Sequence, residues 1–274
     1  MFDLVTAGDA FDDFVFYNLT ELPRPGRELR TDAFVRTVGG GAVITAIAAA
    51  RLGIRCAVAS AVSAEALQRL RQSRVAVRNL RRSGEPAALT VALSTATDRR
   101  YITFNGANAR IPPRMHRVLP RLRARHVHFA FCPRPCRPWI SAIERLRRQG
   151  TSTSWDFGWN PALARDRDLE RLCGAVDILF LNRSEARLYG RRGLWRSMPH
   201  PVVIKLGSAG ARLIGRGLDL RSAAPRARVI DTTGAGDVFN AGFLVARLRG
   251  APWVRALRFA NRLAAKSTER AGGV

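Results

Sequence analysis

Lysine is almost missing from this chain of 274 residues: of its 46 basic residues only Lys205 and Lys266 are lysines, and the rest are arginines. A net charge of +25 would ordinarily direct attention to nucleic acid. A nucleic-acid arm or recognition helix gathers its basic residues, however, whereas these arginines are scattered through nearly every segment. No specific nucleic-acid partner is expected, only weak adhesion to polyanions. Cysteine is scarce as well. Cys56, Cys132, Cys136 and Cys173 are too few to frame a disulfide scaffold in a chain of this size, and reduced thiols suit the cytoplasm. Long apolar runs are also missing. The longest, Ala42 to Ala50, falls far short of the roughly 20 residues that a membrane-spanning helix needs, and Arg51 closes it. The N-terminus, MFDLVTAGDAFDD, carries acids where a signal peptide needs bases, so no membrane partner and a cytoplasmic location are expected.

What is present is the composition of a folded domain, 47% hydrophobic, with apolar strand-like runs alternating with helical patterns for most of its length. Strands are expected at 3–7, 56–60, 126–131, 152–157, 177–181 and 202–206, and helices at Ala42–Leu52, Pro138–Gln149, Ser184–Tyr189 and Val238–Arg249. Alternation of this kind implies βαβ units and a mostly parallel sheet covered by helices in one main domain, 1–274. Residues 14–38 and 88–105 break the pattern. The first read as short strands around a Pro-Gly turn, and the second as a hairpin turning near Thr97-Asp98. Together they form either a small sheet serving as a lid over a cleft or antiparallel edge strands of the main sheet. One metal pattern needs weighing: HVHFAFCPRPC brings His126, His128, Cys132 and Cys136 close in sequence. The cysteine spacing of three residues, broken by prolines, lacks a second ligand pair, so zinc is not expected there.

The stretch RARVIDTTGAGDVFNAGFLVARLRG reads as a strand, a tight small-residue loop and an amphipathic helix. Gly234, Ala235 and Gly236 leave peptide N–H groups unshielded, so that several can converge on one anion at a helix N-terminus. No lysine follows the second glycine, as a GxxxxGK[ST] loop would require, and the GAGD run is not a dinucleotide fingerprint. Asp237, directly after the loop, has two readings. It either caps the helix start, or it takes the proton from a substrate hydroxyl while the loop neutralises a phosphoryl group.

The residues DTTGAGDVFNAGFL at 231–244 resemble the C-terminal signature of the ribokinase family, the PfkB-type carbohydrate kinases. The likeness runs through the chain in order: LPRPGRELRTDAFVRTVGGGAVITAIAAARLG at 22–53, ITFNGANARI at 102–111, NRSE at 182–185 and VIKLGSAGA at 203–211. It implies a ribokinase-like three-layer α/β/α sandwich with a mostly parallel central sheet and a small β-sheet lid. It also implies an ATP-dependent kinase acting on a sugar or nucleoside hydroxyl, with Asp237 as base and the backbone of Thr233, Gly234, Ala235 and Gly236 as anion hole. Asn182 and Glu185 would position hydrated Mg²⁺ and the phosphates, although the same pair also satisfies a helix capping box. Lys205, Gly207, Gly210 and Asn261 fall on the nucleotide side. ATP and Mg²⁺ are the implied cofactors, with a monovalent cation a further candidate, and the exposed apolar strands of the lid suggest a homodimer formed through it.

On the acceptor side the pattern departs from the family. Ile44 stands where an asparagine is usual, and the loop after residue 60 is shortened. Asp13, with Asp9 and Asp12 as rivals within one register slip, matches the aspartate that grips sugar hydroxyls. Gly39, Gly40 and Gly41 would allow close approach of backbone to substrate, and Asp156, followed by Asn160, is a further candidate at a strand end. The altered acceptor side leaves open a kinase with an unusual acceptor or a catalytically weakened homologue that binds a sugar or nucleotide for regulation.

Overall fold

The computed structural model describes residues 1–95, 99–191 and 193–270. The chain opens with β1 (Phe2–Gly8), β2 (Phe11–Leu19), β3 (Phe34–Gly39), α1 (Gly41–Arg51), β4 (Cys56–Ser60), α2 (Ala64–Gln72) and β5 (Ala76–Asn79). It continues through β6 (Leu89–Thr95), β7 (Arg99–Phe104), α3 (Pro112–Val118), β8 (Ala124–Ala130), α4 (Arg137–Arg148), β9 (Ser152–Asp156) and α5 (Leu169–Ala175). The last part holds β10 (Ile178–Asn182), α6 (Arg183–Tyr189), α7 (Leu194–Ser197), β11 (Val202–Lys205), β12 (Ala211–Gly215), β13 (Leu218–Ser222), α8 (Ala235–Leu248) and α9 (Trp253–Ser267).

The large sheet has the order β13-β12-β11-β10-β9-β8-β1-β4-β5. Every neighbouring pair from β11 to β5 is parallel, and β12 and β13 extend the other edge as an antiparallel hairpin. Its central strands are buried on both faces, which is why they read as continuous apolar runs. Two apolar clusters fill the space on either side. One packs Val127, Phe129 and Trp155 against Met115, Trp139, Ile143 and Leu172, from α3, α4 and α5. The other packs Leu4, Phe180 and Val203 against α1, α2, α8 and α9 through Ile47, Leu70, Phe243 and Leu257. Together they form the three-layer α/β/α sandwich.

The two excursions form a separate four-stranded sheet of order β3-β2-β6-β7 rather than an edge of the large one. Its central pair, β2 with β6, is parallel and joins segments more than seventy positions apart, from Asp12↔Leu89 to Leu19↔Thr95. The turn expected near Thr97-Asp98 lies outside the described residues. One expectation fails: the stretch before the glycine loop is not a strand. The N–H groups of Ile230 and Asp231 both donate to Thr268 O just past α9, at 2.8 and 3.1 Å, so this segment is pinned across a helix end instead of pairing with the β13 edge. Among the described residues no helix is long and apolar enough to cross a membrane.

Candidate active site

The loop that closes on α8 is built around Gly234, whose φ of +70° makes it the left-handed N-cap of the helix. Ala235 N–H donates to Thr232 O, while Asp237 and Val238 N–H both donate to Gly234 O. Among the described residues the N–H groups of Gly234 and Gly236 take no part in the bonds that close the turn, so they remain for an anion. Asp231 braces the loop from below, accepting from both the backbone N–H and the hydroxyl of Thr233, at 2.9 and 2.7 Å. Asp237 therefore does not cap α8. It lies in the first turn, and among the described residues nothing donates a hydrogen bond to its carboxylate.

A second helix N-terminus meets it there. A Cβ added at Gly41, the first residue of α1, would lie 3.0 Å from Asp237 Oδ1 and 2.8 Å from Ala130 Cβ, so only glycine lets the start of α1 come this close to the carboxylate. Thr45 ties the two helices by donating to Asp237 O at 3.3 Å. Behind the loop, a Cβ at Gly236 would lie 3.3 Å from Lys205 Nζ. Lys205 ends β11 and pairs with Asp156 Oδ2 at 2.5 Å; Asn240 Nδ2 donates to the same oxygen at 2.7 Å. Asn240, fully buried and one turn along α8 from Asp237, escaped the sequence reading. Its only signal there was the i, i+3 spacing that places it on the same helix face.

The acids of this cleft raise one another's proton affinity. Burial pushes the Asp237 carboxyl up to about 7, Asp156 and Glu185 add to this, and Lys205 opposes it. Glu185 also rises to about 7, through burial and the Asp156 charge, despite Lys205 and the Asn182 N–H. Asp156 itself goes the other way. Burial alone would raise it, but the charge and hydrogen bond of Lys205, with Asn240, hold it below the ordinary carboxylate value.

On the acceptor side, the alternation of β2 separates the rival aspartates. Asp12 accepts from the Ser63 hydroxyl at 2.6 Å and lies 3.9 Å from Arg36. Asp13 points the opposite way, buried against Gly39, where any Cβ would overlap its carboxylate. Burial pushes Asp13 up to about 7, with further contributions from Asp12, Asp237 and Asp231, which sets it within the field of Asp237. Asp9, in the turn after β1, is likewise pushed up to about 7 by burial. Gly40, at φ +91°, crosses so close to the backbone of Asp9 and Ala10 that no side chain fits. Asn108, also missed although it lies within ITFNGANARI, fixes this turn by donating to Ala10 O at 2.9 Å.

Several of the expected site residues stand apart from this centre or have other duties. Asn182 and Glu185 form the full capping box of α6, with Asn182 N–H donating to Glu185 at 2.8 Å and Glu185 N–H to Asn182 at 2.9 Å. Gly207 and Gly210, both at positive φ, make the turn between β11 and β12. Asn261 is buried, donating to Ser222 O and Ala223 O at 2.9 and 3.3 Å, and so ties α9 to the end of β13. Asp156, read from sequence as an acceptor-side group, is committed to Lys205 instead. Asn160 staples its own loop, accepting from Ala162 N–H and donating to Cys132 Sγ. Ile44 is buried among the apolar side chains between α1 and α8, so the polar group usual at this position is replaced by core.

A family model described as pfkB family carbohydrate kinase matches residues 1–274. A nucleoside kinase of Methanothermobacter thermautotrophicus is 29% identical over 285 residues, covering 98% of this chain and 90% of its own. Among solved structures, a ribokinase from Giardia lamblia superposes with a TM-score of 0.85 at 21% identity, covering 100% of this chain and 96% of its own. A putative ribokinase II from E. coli, in complex with ATP and Mg²⁺, gives 0.78 at 19% identity, covering 100% and 94%.

Proposed function

The chain belongs to the pfkB family of carbohydrate kinases, phosphotransferases with an alcohol acceptor, and from that premise we propose that it moves the γ-phosphoryl group of ATP to a hydroxyl of a sugar or nucleoside-like substrate, with Asp237 as general base. The observation that carries this reading is the Asp237 carboxylate: it is partly exposed, receives no hydrogen bond from the described residues, lies where two helix N-termini meet, and has its proton affinity pushed up to about 7. A base of that strength takes a hydroxyl proton near neutral pH and holds it as the bond to phosphorus forms. The N–H groups of Gly234 and Gly236 bind the oxygens of the phosphoryl group in flight, with the positive end of α8 behind them. Lys205, 3.3 Å from the Cβ position of Gly236, supplies a fixed cation beneath the loop. Asp13, backed by Gly39, Gly40 and Gly41, orients the acceptor through its hydroxyls.

The chemistry of the donor set fits Mg²⁺. The cleft offers hard carboxylate oxygens raised by mutual repulsion, with Lys205 the cation that opposes it. Among the described residues no three His, Cys, Asp or Glu side chains are grouped to hold a metal alone, which suits an ion that keeps its waters and binds largely through nucleotide phosphates. Glu185, with Asn182 at its N-cap, would hold it through water. When bound, the ion neutralises phosphate charge that would otherwise repel Asp237.

An ADP-release screen with Mg-ATP across pentoses, hexoses, sugar acids and nucleosides tests this function. At least one acceptor is expected to raise turnover tenfold or more over the acceptor-free rate; stabilisation by a ligand without phosphorylated product would instead identify a regulatory binder.

The same reading extends to assembly through the small sheet. Phe34, Ile102 and Phe104 are exposed on one face of it, at 43, 68 and 50%. An apolar sheet surface of this kind favours pairing with a second copy. Sedimentation is expected to give a dimer that Ile102→Lys converts to monomer; a wild-type monomer at all concentrations would remove the proposal.

A further inference from the structure

Beneath the site, a row of polar side chains runs from the exposed Ser152 into the interior of the large sheet. His126 and His128 on β8 face Ser152 and Ser154 on β9 in direct register, and Asp156 continues the β9 row to the C-terminal edge. Ser152 Oγ donates to Arg125 O at 3.1 Å, and it lies 2.8 Å from His126 Nδ1. Ser154 Oγ lies 2.8 Å from both His126 Nε2 and His128 Nδ1. Both imidazoles are buried, and neither has a hydrogen bond to a carboxylate, so both are neutral; burial pushes them down to about 4 and about 3.

One direction satisfies all four of these contacts together. With the single hydrogen of Ser152 given to Arg125 O, His126 donates from Nδ1. A neutral His126 therefore accepts at Nε2, and the single hydrogen of Ser154 is spent there. His128 must in turn donate from Nδ1, which leaves its Nε2 as an acceptor. Among the described residues no donor reaches that buried atom. The His128 ring leans across β9: it meets Phe180 on β10 edge-on, with centroids 5.7 Å apart, and Phe180 is the register partner of Asp156. Asp156 and Lys205 are near enough for their charges to act on His128, and a buried acceptor is ordinarily satisfied by protein or by an internal water.

We propose that His128 is a positioning residue for the Asp156–Lys205 pair, held as its Nδ1–H tautomer by the serine–histidine ladder so that Nε2 accepts from an internal water shared with Asp156. The water gives one hydrogen to each, which restrains Asp156 on the side that Lys205 and Asn240 leave uncovered. His128 does not touch the reacting atoms. It acts through Asp156, and its importance to turnover rests on the kinase reading, but its state can be measured without any substrate.

The scarcity of lysine makes the test specific. Protein labelled with ¹⁵N in lysine carries only Lys205 and Lys266, and long-range ¹H–¹⁵N spectra of the four histidines report tautomers. Both buried histidines are expected as Nδ1–H, unchanged between pH 5 and 9. In His128→Phe the Lys205 Nζ signal is expected to move by more than its linewidth, with Lys266 as the unmoved control, and His128→Gln, which retains a donor and an acceptor, to restore it. An Nε2–H tautomer at His128, titration of His128 within that range, or an unmoved Lys205 signal in a folded His128→Phe would each overturn the proposal. If that variant fails to fold, the wild-type tautomer alone decides. Failure of the acceptor screen would leave these outcomes as they are, so the two proposals stand or fall separately.

Discussion

Asp237→Asn is expected to lower turnover by two to four orders of magnitude and at the same time to raise the melting temperature. The first effect is the loss of a general base, which ordinarily contributes about 10²–10⁴ in rate. The second follows from the raised carboxyl. The folded state holds a proton on Asp237 up to about pH 7, whereas the unfolded chain releases it near its ordinary value of 3.8. Between those values the folded form binds more protons, so its stability falls as pH rises through the interval. Above pH 7 the full cost of the buried charge is carried. A tenfold change in proton affinity is about 1.4 kcal/mol, so the whole shift would be on the order of 4 kcal/mol, and solvent at the partly open carboxylate reduces this to roughly 1–2 kcal/mol. Asparagine has no such charge. Melts at pH 8 should therefore place the variant roughly 3–6 °C above wild type, with the gap closing as pH falls below 7. Retention of more than about a tenth of the rate would remove the base assignment. A variant less stable than wild type at pH 8 would show that the charge is not carried at a cost.

Much of this site was legible because its local chemistry writes itself into sequence. DTTGAGD needs glycine at 234 for a left-handed cap and carries its acid in the first helical turn, and both features survive in the structure. The parallel strands were legible for a similar reason, since burial on both faces leaves runs such as CAVAS without alternation. What escaped depends on partners far apart in the chain. Asp156 and Lys205 lie 49 positions apart, and nothing in either segment says that they meet. Asn240 could be placed on a helix face but not against Asp156, 84 positions away. VID before the loop has the residues of a strand, yet the free carbonyl of Thr268 captures its N–H groups first. Asp12 and Asp13 were inseparable until the pairing of β2 with β3 set which one faces Gly39. Asn182 and Glu185 form the capping box, and the same box fixes the orientation of the carboxylate proposed to hold a hydrated metal.

The largest stability effect is expected at the pair beneath the loop. Asp156→Ala leaves the Lys205 ammonium in a nearly closed site, with side-chain exposure of 14%, and without the oxygen that both it and Asn240 address. Breaking a buried pair from one side ordinarily costs about 3–5 kcal/mol, because an uncompensated charge remains. Glu185 and Asp237 also face Lys205 and soften the loss, so about 3 kcal/mol is expected here. Lys205→Met should cost a similar amount for the opposite reason. It strands Asp156, whose carboxyl is held below its ordinary value largely by Lys205, and it adds to the repulsion on Asp237 and Glu185. The double variant Asp156→Leu/Lys205→Met removes both charges and should recover most of the stability, giving a coupling of at least about 2 kcal/mol in denaturant melts at pH 7. It should not recover turnover, since the loop then lacks its fixed cation. Additive losses in the double variant would mean that the two side chains are held by the fold independently. A double variant that is both stable and active would show that the cation serves packing rather than phosphoryl transfer, and would shift the whole burden of charge stabilisation onto the N–H groups of Gly234 and Gly236.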